Sequence, residues 1–333
     1  MCKFIRGSRL WALSVLLVFC VCACSASTGS AAAKDPLAMG KLFTVFEAMQ
    51  KANIKNLHLG IIGRLDTDVV DGSLDTEADI YVKDSDNFAA KGLLKSALGS
   101  GKDAQTWEYP FYITADKKLF SVYYQDGGQW FKSIEAIGEE KNDKKDNKTG
   151  KDNDKSTKDD ADTLDISLDP ETLLKGVEFG TSAPGTESYV VTLDSKSIAA
   201  AMQNATKKAP VGKEQVDLVP NDAMTALSSM KDLAIVITVD NRSNLVQEIS
   251  TDLSEPLVIA ATAVVNSIDS LEPAAKESIL PLVQTAKLKF TVKGNKYNQI
   301  APITVPADIV KNAKVAPKEE KSDTKKTSVN EDE

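Results

Sequence analysis

The chain has 333 residues, a formal net charge of -8 and 4 cysteines, all within the first 24 positions (Cys2, Cys20, Cys22 and Cys24). The body after them therefore has no disulfide, no thiolate nucleophile and no cysteine metal site. Its acidity gives no basic field to draw in phosphate, which excludes nucleic acid as a partner.

Lys3, Arg6 and Arg9 precede an uncharged apolar run from Leu10 to Ala23, the pattern of an export signal. The run is shorter than the roughly 20 apolar residues a membrane span needs. Loss of residues 1–23 would remove three positive charges and take the net charge from -8 to -11. The quartet Val21-Cys22-Ala23-Cys24 resembles the bacterial lipobox, in which the final cysteine is acylated and becomes the new N-terminus. It departs from the commonest form by valine at the first place and cysteine at the second. The resemblance implies a lipid on Cys24 and a protein held at a bacterial membrane, on the cell surface or its periplasmic face. Ordinary cleavage after Ala33, where Ala31 and Ala33 form an A-x-A site, is the alternative and would release a soluble chain.

Residues 24–36, rich in Ser, Ala and Gly, read as a flexible tether. Asp35-Pro36 then supplies a cap and a first-turn proline, and Met39, Leu42, Phe43, Phe46 and Met49 share one helical face. Period-two stretches follow: Leu57, Leu59 and Ile61, then Leu74, Thr76, Ala78, Ile80 and Val82. Asn87 to Leu98 suits a helix or a strand. Further strands are expected at Pro110–Thr114 and Leu119–Tyr124, with an Asp126-Gly127 turn before Trp130. Others fall at Ser188–Leu193, Leu233–Asp240, Leu245–Asp252, Lys287–Lys293 and Lys296–Thr304. Helices are expected at Ser195–Lys207, Asn221–Lys231, Pro256–Ile268 and Pro273–Thr285. A stretch of Lys, Asp, Asn and Thr from about 138 to 163 has too little apolar surface to order itself, and 317–333 reads the same way. The expected fold class is α+β: one domain over 37–316, an antiparallel sheet with helices gathered on one side.

Little here suits catalysis. The single histidine, His58, falls on the polar side of its strand's alternation, and no Ser-His-Asp or His-Cys set can be assembled around it. Ser228–Lys231 matches S-x-x-K and Lys148-Thr149-Gly150 matches K-T-G, but in the wrong order and without S-D-N, so both read as chance. Asp66, Asp68, Asp71, Gly72 and Glu77 approximate a calcium loop, yet Val70 takes a ligand position and the flanks are strands, which favours a solvated hairpin turn. No glycine-rich phosphate loop is present, and no cofactor or metal is implied. Nine aromatic residues concentrate between Trp107 and Phe131. They can fill a core or line a pocket.

The tether and first helix, the strands Ala78-Asp79-Ile80-Tyr81-Val82 and Phe111-Tyr112-Ile113-Thr114, and the hairpin ending Gly127-Gly128-Gln129-Trp130-Phe131-Lys132 together resemble the LolA, LolB and LppX/LprG superfamily of half-barrel lipoproteins. The close, Lys296-Tyr297-Asn298-Gln299-Ile300 leading to Val305-Pro306 and a short helix from Ala307, is similar too. The charged insertion and the extra helical pair before Phe290 depart from that pattern. The resemblance implies a curved antiparallel sheet, a half β-barrel with helices packed on its concave side, and an apolar space for acyl chains. Trp107, Phe111, Trp130, Val264 and Val265 are the candidates to line that space. Leu257, Val258, Ala261, Val264, Val265 and Ile268 give the first helix of the pair a broad apolar face, continued by Leu280 and Val283, which suits either a lid or a fixed plug. Two functions compete, neither of them enzymatic: an anchored carrier or sensor of a lipid or other hydrophobic ligand, and an envelope scaffold binding a protein or cell-wall partner.

Overall fold

The structure, a computed structural model, describes residues 35–84, 87–100, 103–137, 173–200, 230–268 and 271–316. The lipobox, the tether up to Lys34, the charged insertion, most of the helix expected at Asn221–Lys231 and the tail after Ala316 lie outside them.

Among the described residues, twelve strands form one sheet. They are β1 (Asn56–Asp66), β2 (Gly72–Asp84), β3 (Asn87–Leu98), β4 (Gln105–Ala115), β5 (Leu119–Asp126), β6 (Gln129–Ala136), β7 (Leu174–Phe179), β8 (Thr186–Leu193), β9 (Leu233–Asp240), β10 (Leu245–Asp252), β11 (Lys287–Asn295) and β12 (Lys314–Val315). Two antiparallel meanders, β1 to β6 and β7 to β11, join where β1 pairs with β11. β12 closes the far edge as a parallel partner of β6. So many strands do not stay flat in an open sheet, and this one curves. With few helices, it is the α+β architecture the sequence implies.

The helices are α1 (Pro36–Lys51), α2 (Ser254–Ser267), α3 (Pro273–Gln284) and α4 (Ala307–Asn312); residues 195–200 are also helical. The Asp35 carboxylate accepts hydrogen bonds from the Leu37 and Ala38 amides, at 2.9 and 3.1 Å, and Pro36 fixes the first turn. Ala38, Leu42 and Val45 of α1 are buried on one side of the sheet against Val177, Tyr189, Val191, Ile237, Val239, Val246 and Ile249. This is the main core. Its outer end is tied by a chain of polar contacts: the Tyr189 hydroxyl donates to Glu187 at 2.6 Å, and Lys41 of α1 reaches the same carboxylate at 2.6 Å while standing over the Phe179 ring. Burial raises the Tyr189 hydroxyl above its ordinary value, and Lys41 lowers the Glu187 carboxyl below its own.

Of the two alternatives for Asn87–Leu98 the strand is found, in register with β2 and β4 on both sides. Two other expectations are corrected. Strand β4 starts at Gln105, not at Pro110. Proline fits inside it because β5 pairs only with Phe111–Ala115, so Pro110 stands just past the end of that ladder. The stretch Lys296–Thr304 is not a strand. Lys296 and Asn298 take left-handed φ of 52° and 57°, turning the chain back onto the end of α1. There the Asn298 side chain accepts from the Lys55 amide at 2.8 Å and donates to the Ala52 carbonyl at 3.1 Å. The Tyr297 hydroxyl, pushed up to about 12 by burial, donates to the Val246 carbonyl.

Candidate functional site

Strand register sorts the sheet into two faces, because residues paired across strands point the same way. The row Tyr189–Ile237–Ile249–Val292–Ile61–Thr76–Leu94–Tyr109 runs from the α1 core to the middle of the other meander. Its first members are buried under α1. Its last, Ile61, Leu94 and Tyr109, are only half-buried. Two parallel rows lie beside it, Leu59–Ala78–Gly92–Phe111–Tyr124–Phe131 and Leu57–Ile80–Ala90–Ile113–Val122, in which Leu59, Ala78 and Ala90 are buried and the other members half-buried. The α1 face of β1 to β5 is thus a broad apolar surface to which the main core does not extend.

Local devices shape it. At Gly92 an added Cβ would stand 2.7 Å from Phe111 Cζ and 2.3 Å from the Glu77 carbonyl oxygen, so glycine lets the Phe111 ring lie across β3. Tyr124 and Phe131 stack at 5.5 Å, and Phe88 meets Phe120 at 6.4 Å on the same face. Trp107, 38% exposed, stands at the open end near Leu98.

The five residues expected to line a cavity are not one group. Trp107 and Phe111 share the α1 face. Trp130 lies on the opposite one, 5.8 Å from Tyr112, where both pack with Tyr123 beneath Ile309 and Ala313 at the α4 end of the chain. In α2, Val265 is buried and Val264 is 37% exposed, since neighbours on a helix point about 100° apart. Leu94 and Tyr109, which are not among those five candidates, stand in the centre of the apolar rows. Cys24 lies outside the described residues.

Helices α2 and α3 form a pair inserted between the hydrogen-bonded strands β10 and β11. Its base is pinned: the Ser254 hydroxyl donates to Asp252 and accepts from the Leu288 amide at 2.9 Å, and the Leu253 amide donates to the Leu288 carbonyl at 2.7 Å. Above that base, α2 meets α3 and β11, with Ile259 and Ala260 against Ala199, Met230 and Leu233. Only Val265 is buried in α2 and no residue is in α3.

On the face away from α1, the polar side of its strand as expected, His58 is half-buried and paired. Its Nδ1 is 2.8 Å from Asp79 Oδ1, directly across the β1–β2 pair, and Lys91 approaches Asp79 Oδ2 at 3.5 Å from β3. Burial raises the Asp79 carboxyl, but the bond and charge of His58, with Lys91, outweigh it and leave it below the ordinary value.

Neither a protein-family model nor a curated protein sequence matches the chain. Among solved structures it is similar to LprF from Mycobacterium bovis, at 12% identity and a TM-score of 0.34, covering 82% of this chain and 97% of that one. It is also similar to a DUF1329 family protein from Desulfovibrio piger, at 10% identity and a TM-score of 0.20, covering 80% and 94%. No helix among the described residues is long and apolar enough to cross a membrane.

Proposed function

We propose that the chain is an exported bacterial lipoprotein, anchored through Cys24, that binds an acyl chain or a similar apolar ligand against the α1 face of β1 to β5 and acts as a carrier or sensor without catalysis. The observation that carries this reading is the division of one apolar sheet face. α1 seals the β7–β10 part, while Ile61, Leu94, Tyr109 and Phe111 remain half-exposed beside it. Removing such a surface from water is favourable by about 25 cal/mol per Å², and a flexible acyl chain can conform to it.

In this reading the α2–α3 pair moves over the ligand, hinged at its Ser254–Leu288 base. Its shallow burial allows motion at small cost. With oleate bound, amide exchange in α2 and α3 should slow while β1 is unchanged. Equal protection of pair and sheet in the empty protein would make the pair a fixed plug.

The test of ligand binding is native mass spectrometry of the Cys24→Ala protein, exported and purified without detergent. That variant carries no covalent lipid, so a retained mass of lipid size reports the sheet. The Leu94→Asp variant should lose it and keep its fold. Bare protein mass in both preparations would contradict the proposal. Labelling with palmitate tests the anchor separately, and label that persists in Cys24→Ala would contradict it.

A further inference from the structure

The face of the sheet away from α1 holds a groove of 330 Å³ lined by His58, Glu77, Asp79, Lys91, Leu93, Pro110, Tyr112 and Trp130 among others. Gly92 and Phe111 of the apolar rows also border it, while by register the other lining residues project from the opposite face. Its floor is apolar and partly aromatic, with Tyr112 and Trp130 held in place by the α4 end of the chain. Its wall is a cross-strand set of charged groups, fixed by register instead of by loops.

The wall offers both kinds of hydrogen-bonding group. Asp79 is occupied by His58 and Lys91. With Nδ1 on Asp79, Nε2 is the remaining hydrogen-bonding nitrogen of His58. The Lys91 ammonium keeps donors beyond its one ion pair. Glu77, exposed and with no polar partner among the described residues, contributes two acceptor oxygens. Donors and acceptors set beside an aromatic floor match a sugar ring, whose hydroxyls both give and accept hydrogen bonds and whose C–H faces pack on aromatic carbon. They do not match an acyl chain, which offers no partner to Glu77, to the remaining Lys91 donors or to His58 Nε2.

We infer that this groove is a saccharide-binding site, in which Glu77, Lys91 and His58 bond the hydroxyls of one or two sugar units seated on Tyr112 and Trp130. Its volume fits that size, at the small end of ligand pockets. Binding there requires neither the Cys24 lipid nor the apolar face.

The experiment uses the chain lacking residues 1–23 with Cys24→Ala and Trp107→Phe, which leaves Trp130 as the single tryptophan. Its fluorescence is titrated with neutral tetrasaccharides of glucose, of mannose and of N-acetylglucosamine. At least one should give a saturable change with Kd below about 1 mM. Glu77→Gln and Lys91→Met, both exposed and outside the packed core, should each weaken it by about tenfold. Leu94→Asp on the other face should leave it unchanged. The inference is overturned if no sugar gives saturation up to about 10 mM, or if binding survives both groove substitutions together. Calorimetry on the original Trp107 background repeats the reading, so that a silent fluorophore is not mistaken for absent binding.

Discussion

Replacing Gly92 by alanine tests the geometry of the apolar face at its centre. A methyl group there would sit 2.3 Å from the Glu77 carbonyl oxygen, 2.7 Å from Phe111 Cζ and 3.0 Å from Ala78 Cα. The first distance is about 1 Å short of an ordinary carbon–oxygen contact of roughly 3.3 Å. The Phe111 ring can rotate away, but Glu77 O and Ala78 Cα are backbone of β2, so relief requires the β2–β3 ladder to part locally. Overpacking of this kind costs about 1–3 kcal/mol, and the backbone contacts place this site near the upper limit. Alanine recovers about 0.5–1 kcal/mol relative to glycine in a strand, leaving a net loss of about 2 kcal/mol. With a urea dependence of roughly 2–3 kcal/mol per molar, the unfolding midpoint should fall by somewhat less than 1 M. Adding Phe111→Leu should restore only part of that, because the two backbone contacts remain. A Gly92→Ala protein as stable as the parent would refute the placement of Phe111 across β3 and the register on which both faces rest.

Leu42→Ala, which empties a site 3% exposed beneath α1, should cost about 2–5 kcal/mol by urea unfolding; a loss under about 1 kcal/mol would mean that α1 is not the cover of the β7–β10 core. Acid should weaken the protein through Asp194, whose carboxyl is held at about 2, against an ordinary 3.8, by hydrogen bonds from Lys175 and Ser197. A carboxyl depressed on folding contributes stability that is complete above the ordinary value and is lost as pH falls through the folded one. The urea midpoint should therefore drop between pH about 4 and about 2, and Lys175→Met should flatten that drop. An identical pH profile in the variant would remove Lys175 from the account.

Much of the sheet was legible because its strands are wetted on one side or the other, so the alternation of Leu74, Thr76, Ala78 and Ile80 survives in the sequence. Strand β7 was not, since its six residues follow the charged insertion and carry only a short alternation. Residues Lys296–Thr304 misled for a different reason: Tyr297 and Ile300 stand among polar neighbours as strand residues do, but they are three apart, and the left-handed φ at Lys296 and Asn298 serves a turn held by distant partners. The grouping of Trp130 with Phe111 failed on parity. The turn at Gly127-Gly128 sets Tyr124 against Phe131 and Gln125 against Trp130, so Phe131 shares the face of Phe111. A two-residue hairpin fixes that register in advance, and the signal was present. The His58–Asp79–Lys91 set left no such trace, because its register depends on a longer turn at residues 67–71 and on the pairing of three strands.

The central claim, an apolar ligand on the α1 face of β1 to β5, is tested most directly by a fatty acid carrying a photoactivatable diazirine in its chain. After irradiation and proteolysis, the account predicts adducts on peptides containing Leu94, Tyr109 or Phe111, assigned at residue level and suppressed by excess oleate. Adducts centred instead on Tyr123 or Trp130 of the opposite face, or labelling that oleate does not suppress, would contradict it.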